Sequence, residues 1–487
     1  QAKALLSVPS SKGIWAAQVA SKHAHIIGLG GVGMSATALL LRDMGYRITG
    51  SDAELYEPVK GLLAREGISC AHGFSAANIK GVPDLIVLGR NAKLDPAIND
   101  EVRHALSLGT RVRSFPEIIG EASQGRHVIV AAGSFGKSTT AAMMTSFLRH
   151  AGTKPGWFVG ALAKNLPRTA ELGHDAPFIV EGDEYPTAHG DPRPKFMHYH
   201  PRDVLLTSVV HDHVNVYPTF ESYKHAFADL VALMPPDGLL VACADEPEAR
   251  AMARAWSGAI TYGLDEGDVR AIDIAYGAPT HFTLVRGREE LGRFATSQLG
   301  RHNIENIAGV AALLLARNLI SVEALAPAIA AFDGVRRRLD IIASDSSVPV
   351  IEGFGSSEEK ARSAIDAMLL HFPARRLAVF FEPHTFSWRN RAALAWYDRV
   401  FAGAGHVFIA PPEQQGAATH DQLSHDEIIA RVRAAGVSAS ALDPSHVDGA
   451  LDQLKADDAV LVLTSGAMGG AIEPIAQGIT ARFPKRR

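Results

Sequence analysis

Short apolar runs that close on glycine or an acidic residue recur along this chain, separated by Ala- and Leu-rich stretches with helical spacing. His25-Ile-Ile-Gly, Asp84-Leu-Ile-Val-Leu-Gly and His127-Val-Ile-Val-Ala-Ala-Gly come first. Phe178-Ile-Val-Glu-Gly-Asp, Asp203-Val-Leu-Leu-Thr and Gly238-Leu-Leu-Val-Ala follow. The last third adds Val348-Pro-Val-Ile-Glu, Leu377-Ala-Val-Phe-Phe, His406-Val-Phe-Ile-Ala and Ala459-Val-Leu-Val-Leu. A strand that is apolar at consecutive positions is covered on both faces. Alternation of such strands with helices therefore predicts an α/β protein built on mostly parallel sheets. Doubly wound sheets bind ligands beyond the carboxyl ends of their strands, where these glycines and acids lie.

At 487 residues the chain exceeds what one hydrophobic core supports, so several domains are expected. Two polar shifts suggest where it divides: Glu121-Ala-Ser-Gln-Gly-Arg ahead of a new strand, and Ser344-Asp-Ser-Ser-Val-Pro after the basic Arg336-Arg337-Arg338 run. They delimit three domains, 1–121, 122–342 and 343–487: Rossmann-like, P-loop-type and Rossmann-like in turn. The formal net charge of -4 provides no basic field for nucleic acid. Two distant cysteines, Cys70 and Cys243, suit a reducing cytoplasm. No apolar run reaches the roughly 18 residues that span a bilayer, and the residues up to Lys22 lack a signal-peptide core. A cytoplasmic chain with no membrane partner is expected.

Gly133-Ser-Phe-Gly-Lys-Ser-Thr-Thr follows the strand His127 to Ala132 and opens the helical Ala141-Ala-Met-Met-Thr-Ser-Phe-Leu. Gly133 and Gly136 let the backbone curl so that its N–H groups and the helix N-terminus face phosphate oxygens. Ser134 and Thr139 belong to the same loop, Lys137 reaches the terminal phosphates, and the Ser138 hydroxyl is a ligand for Mg²⁺. Two residues, not the usual four, separate the first glycine from the Gly-Lys pair. An ordinary glycine turn is the plain alternative; strand, lysine, hydroxyls and helix together favour a nucleotide triphosphate. The metal needs further hard ligands, and Glu181 and His213 stand after the next strands. Singly, each reads as a solvated strand-end residue.

Gly28-Leu-Gly-Gly-Val-Gly-Met-Ser also follows a strand and opens a helix, and Gly50-Ser-Asp closes the next strand. On pattern this is a dinucleotide fingerprint with Asp52 placed for a ribose, which leaves an NAD-dependent oxidoreductase open.

Together these motifs resemble the Mur ligase family over nearly the whole chain. The family's Gly-Thr-His-Gly-Lys-Thr-Thr, Glu-Ala-Asp-Glu and Asp-His-Met-Asp segments read here as Gly133-Ser-Phe-Gly-Lys-Ser-Thr, Glu181-Gly-Asp-Glu and Asp212-His-Val-Asn. Gly300-Arg-His-Asn-Ile-Glu-Asn is similar to the adenine-side helix start, which implies nucleotide contacts for His302, Asn303 and Asn306. Phe332-Asp-Gly-Val-Arg-Arg-Arg-Leu-Asp resembles the segment whose arginine meets the γ-phosphate, implying Arg338 with Arg337 beside it. The first glycine loop then implies a UDP-sugar site at Gly31, Gly33, Met34 and Ser35, with Asp52 and Asn91 on the uridine side. Lys195-Phe-Met-His-Tyr-His-Pro-Arg-Asp, Phe381-Glu-Pro-His and Thr464-Ser-Gly-Ala-Met-Gly-Gly favour the branch that acts on wall peptides.

The resemblance implies an ATP- and Mg²⁺-dependent, ADP-forming amide ligase. Lys137, Glu181, His213 and Arg338 would be catalytic, and Ser138, Glu181 and His213 would hold the metal. Its substrates would be the carboxylate of UDP-N-acetylmuramate and the amine of L-Ala-γ-D-Glu-meso-diaminopimelate, with L-alanine or another carboxylate and amine as alternatives. His384 and Arg389 are candidates for the acceptor's carboxylates, although such residues are as often plain surface polar positions. Three departures stand out: Phe135 replaces the loop histidine, and Asn215 replaces an aspartate. Glu352-Gly-Phe-Gly-Ser-Ser-Glu replaces a carboxy-terminal segment that carries two histidines. A homologue that binds nucleotide without catalysis is the reading these departures leave open. The altered segment is expected to face the phosphate loop across a cleft, with Phe135 opposite.

Overall fold

The computed structural model describes residues 22–57, 59–188, 190–213, 216–412 and 421–485. The stretch read for a signal peptide, apart from Lys22, and Asn215 lie outside them. Chain contacts separate residues 1–118 from 119–487.

The first unit carries a five-stranded sheet ordered Ser69–His72, Arg47–Asp52, His23–Ile27, Leu85–Leu88, Arg111–Arg113, parallel throughout. The central strand His23–Ile27 is buried at every position, so it is covered on both faces. Helix Val32–Asp43 contributes Leu39 and Leu41 to the same core as Leu85 and Val87. At Gly50 a side chain is excluded, because a Cβ there would stand 2.5 Å from the Ile26 carbonyl on the paired strand. One polar cluster sits in this interior. Glu101, fully buried, accepts from Ser51 Oγ at 2.7 Å, Asn78 Nδ2 at 2.9 Å and Ser75 N–H at 2.8 Å, and lies 2.8 Å from His25 Nε2. Burial alone would raise its carboxyl pKa, but these four partners hold it below the ordinary value.

The second unit holds two large sheets and a two-stranded antiparallel pair, Pro186–Ala188 with Asp191–Pro194. The larger has ten strands, and its parallel heart runs Leu239–Cys243, Asp203–Leu206, His127–Ala132, Pro177–Glu181, Gly156–Phe158. It is extended by the antiparallel strands Val269–Ala275, Thr280–Arg286 and Glu289–Thr296. No apolar run announced these three, because they are half-exposed and rich in Thr, Arg and Glu.

The smaller sheet has six strands, ordered Asp340–Ile341, Val350–Phe354, Asp458–Thr464, Arg376–Phe381, His406–Ile409, Ala439–Ala441. Its strands feed two separate cores by simple alternation. Ile351, Val379, Phe381, Leu461 and Leu463 enter one, and Val350, Phe380, Val460 and Val462 the other. Every apolar run singled out above is a strand, and the α/β parallel architecture stands as expected. Among the described residues no helix is long and apolar enough to cross a membrane.

Candidate active site

The strand His127–Ala132 turns at Gly133 (φ +139°) and enters helix Lys137–His150 through Gly136 (φ +80°). Both are conformations that side chains oppose. At Gly133 space forbids one as well, since a Cβ would fall 2.1 Å from Thr207 Oγ1. The turn is pinned from the neighbouring strand end. Ser134 N–H donates to Ser208 O at 3.0 Å, Phe135 N–H to Ser208 Oγ at 3.1 Å, and Ser134 Oγ to Val210 O at 2.8 Å. No acidic residue occupies the helix's first turn, so its positive end is unopposed there.

Lys137 Nζ donates to Gly133 O at 2.7 Å and pairs with Glu184 Oε2 at 3.0 Å. Glu184 is 1% exposed and also lies 3.1 Å from His213 Nε2. Burial by itself would raise the Glu184 pKa, but Lys137 and then His213 pull it down to about 2. Tyr223 OH, buried, links Ser134 Oγ at 3.0 Å to Glu184 Oε1 at 3.3 Å. Glu184 and Tyr223 were not singled out from the sequence. A carboxylate three residues beyond Glu181 was visible; its alignment with Lys137 was not.

Ser138 Oγ donates to Glu181 Oε1 at 2.5 Å, while Glu181 Oε2 accepts Gly160 N–H at 2.8 Å. Arg338 Nη2 donates to Ser138 Oγ at 3.0 Å. Lys137, Ser138, Glu181, His213 and Arg338 thereby line one cleft of about 470 Å³, and His302, Asn303 and Asn306 line it too. Gly353, Phe354 and Lys360, from the strand Val350–Phe354 and the next helix, form a further wall. Phe135 lines the cleft with them, so the altered carboxy-terminal segment and the loop aromatic do share it. Ser356 and Ser357 do not line it; Ser357 Oγ caps the helix by accepting Lys360 N–H at 3.4 Å.

Several other sequence-predicted residues lie elsewhere. Arg337 turns away from the cleft, donating to Glu352 Oε1 at 3.0 Å and to Gly466 O at 2.5 Å. Left-handed backbone at Arg337 (φ +66°) and Leu339 (φ +53°) sends the adjacent arginines to different partners. Arg389 is only 4% exposed and donates to Thr385 O at 3.3 Å, and neither it nor His384 lines the cleft. Of the three residues expected to ligate a metal, Ser138 and Glu181 are in contact while His213 faces Glu184. Among the described residues no three His, Cys, Asp or Glu side chains converge as a metal cage. A hydroxyl and a carboxylate at a phosphate loop nevertheless fit Mg²⁺, which takes few protein oxygens and completes its shell with phosphates and water.

Comparisons with known proteins follow the same outline. The Mur ligase middle domain matches residues 131–314, and the Mur ligase family catalytic domain matches residues 23–127. The UDP-N-acetylmuramate–L-alanine ligase of Chlorobium phaeobacteroides is 32% identical over 79% of this chain and 81% of its own length. The chain belongs to the Mur ligase family. The UDP-N-acetylmuramate–L-alanyl-γ-D-glutamyl-meso-2,6-diaminoheptandioate ligase of Haemophilus influenzae is 27% identical over 93% of this chain and 98% of its own. Among solved structures, the UDP-N-acetylmuramate–alanine ligase of Thermotoga maritima superposes with a TM-score of 0.76 at 20% identity. That superposition covers 95% of this chain and 100% of the other, and it establishes the fold. The protein is an ATP-dependent, ADP-forming carboxylate–amine ligase.

Within the Mur ligase fold the amino-terminal glycine loop is built differently from the phosphate loop. Gly30 N–H donates to Asp52 Oδ2 at 2.7 Å, and Asp52 Oδ1 accepts Ala53 N–H at 2.7 Å. Gly31 caps helix Val32–Asp43 without a side-chain bond. Gly33 lies against the Phe115 ring, where a Cβ would come within 3.3 Å of it. The Met34 and Ser35 side chains are buried, Ser35 Oγ donating to Val32 O at 3.0 Å, so they offer backbone rather than side chains to a ligand. Asn91 is exposed and its side chain accepts Lys93 N–H at 2.9 Å.

Proposed function

We propose that this ligase joins the carboxylate of UDP-N-acetylmuramate to the amine of a wall tripeptide, L-Ala-γ-D-Glu-meso-diaminopimelate, as a murein peptide ligase does. Three domains, 1–121, 122–342 and 343–487, serve the sugar nucleotide, ATP and the acceptor in turn. The observation that carries the ligase chemistry is the convergence of Lys137, Ser138, Glu181 and Arg338 on one cleft at the phosphate loop. The tripeptide is favoured by a relative of that specificity matched over 98% of its length. The alanine-specific relative, 32% identical, supports L-alanine as the second reading.

ATP transfers its terminal phosphoryl group to the substrate carboxylate; the amine then attacks the acyl carbon and phosphate leaves. Lys137 and Arg338 offset the charge that develops on the moving phosphoryl group, and Glu184 orients Lys137 toward it. Ser138 and Glu181 would hold Mg²⁺, which supplies further charge on the phosphates when bound. His213, paired with Glu184, positions that carboxylate rather than the metal. His302, Asn303 and Asn306 serve the nucleoside end, and Gly31, Gly33, Met34, Ser35, Asp52 and Asn91 the UDP-sugar. His384, part-exposed, and the buried Arg389 are the candidates on the acceptor side.

The test is ADP release with UDP-N-acetylmuramate and ATP against the tripeptide, L-alanine and a panel of other amines. Faster turnover with the tripeptide is expected. Faster turnover with L-alanine would transfer the assignment to the second reading, and release with neither would refute both.

A further inference from the structure

Lys360 is a cleft residue that none of the motifs above accounts for. It stands in the first turn of helix Glu358–His371, beside the strand Val350–Phe354. Its ammonium lies 5.9 Å from the centre of the Phe135 ring, and Phe135 is the third residue of the phosphate loop. It lines the same cleft as Lys137, Ser138 and Arg338.

Of the other charges lining that cleft, Lys137 pairs with Glu184, Arg338 bonds Ser138 Oγ, and Asp212 lies 3.6 Å from His213 Nδ1. Among the described residues no carboxylate lies within ion-pair distance of Lys360 Nζ, which makes only the contact with the Phe135 face. The charges facing it are Asp212, Lys137, Arg338 and Glu359; burial lowers its pKa, Asp212 raises it, and the two cations lower it further. Asp212 and Glu359 offset this cation only from beyond ion-pair distance, so an anion in direct contact with the three cations would be favoured. The aromatic face holds the ammonium in place at a modest gain, which a protonated imidazole at position 135 would turn into repulsion.

We propose that Lys360 is a phosphate-contacting residue whose ammonium, seated on the Phe135 ring, meets the terminal phosphate of the bound nucleotide triphosphate. It adds a third cation to Lys137 and Arg338, delivered from the helix of the six-stranded sheet, in a chain whose loop and carboxy-terminal segment both lack imidazole. Its position over the loop itself favours a phosphate over a substrate carboxylate. The inference rests on the phosphate-loop reading of Gly133–Thr139 and is independent of which acid and amine are joined.

The experiment is titration calorimetry of the full chain with Mg·ATP and Mg·ADP, in the wild type and in Lys360→Gln and Lys360→Arg. Losing one charge-assisted contact to the last phosphate should weaken Mg·ATP about tenfold in Lys360→Gln. Mg·ADP should change little, and Lys360→Arg should keep most of the ATP affinity. Phe135→Leu, which removes the seat and keeps the cation, should produce a smaller loss than Lys360→Gln, and the two losses should not add. Equal loss for ATP and ADP, or unchanged ATP affinity with a raised KM for the acid or amine, overturns the proposal. If the wild type binds neither nucleotide, the loop reading falls and Lys360 with it. Wild-type binding that Lys360→Gln leaves intact refutes the role of Lys360 alone.

Discussion

Two strand–glycine–helix turns in this chain share a backbone plan and differ in what surrounds them. Among the described residues the acidic side chain in direct contact with the amino-terminal loop is Asp52, spent on the Gly30 N–H. At the phosphate loop Lys137, Glu184, Glu181 and Arg338 gather around a helix start of the same kind. Both helix N-termini lack an acidic residue in the first turn, so both present N–H groups and a positive dipole end to an anion. Only the second adds charge on long side chains. A turn of the first kind can hold a diphosphate still; one of the second kind can also follow charge as a phosphoryl group moves. The backbone motif therefore reports anion binding, and the side chains around it report chemistry.

Five measurements would sharpen or break that contrast. The largest effect is expected at the charged loop: Lys137→Ala should lower the ligation rate on the order of 10² to 10³ while leaving the fold intact. Near-normal turnover would remove this loop from the mechanism.

Next, Glu184→Ala should destabilise the second unit by about 3–5 kcal/mol, because it strands Lys137 beside His213. Chemical denaturation reads this directly. The same carboxyl sets an acid dependence. Its pKa falls from an ordinary 4.5 to about 2 on folding, so its stabilisation is complete above 4.5 and is lost as pH falls toward 2. Glu184→Gln should flatten that part of the stability profile, and an unchanged slope would show that the pair with Lys137 adds nothing.

At the uncharged loop, Asp52→Ala removes a charge-assisted hydrogen bond to a backbone N–H and should cost about 1.5–3 kcal/mol. It should weaken UDP-N-acetylmuramate and spare Mg·ATP. The reverse pattern would erase the distinction between the two loops. The smallest and most diagnostic signal is selectivity: calorimetry of the full chain should show binding of UDP-N-acetylmuramate and none of NAD(P), and tighter NAD(P) would return the first loop to the oxidoreductase reading.

How much of this was legible in advance depended on how locally it was encoded. The strands were visible as apolar runs, and the phosphate loop as strand, glycine turn, lysine and helix within a dozen residues. The half-exposed antiparallel extension from Val269 to Thr296 was silent, since its polar faces carry no continuous apolar signal. The arginine triplet shows the limit most clearly. Neighbours in sequence, Arg337 and Arg338 reach Glu352 and Ser138 respectively, and the second contact joins residues 200 positions apart.

By itself, then, the order of residues determined which segments become strands, where the backbone must curl, and which loop carries a lysine for phosphate. Those properties follow from side-chain periodicity and from φ angles that only glycine adopts freely. Only the tertiary structure decided that Glu184 faces Lys137, that Arg338 rather than Arg337 enters the cleft, and that Lys360 sits over Phe135. Those outcomes depend on strand pairing and left-handed turns that aim side chains across long sequence separations, and no local pattern records that aim.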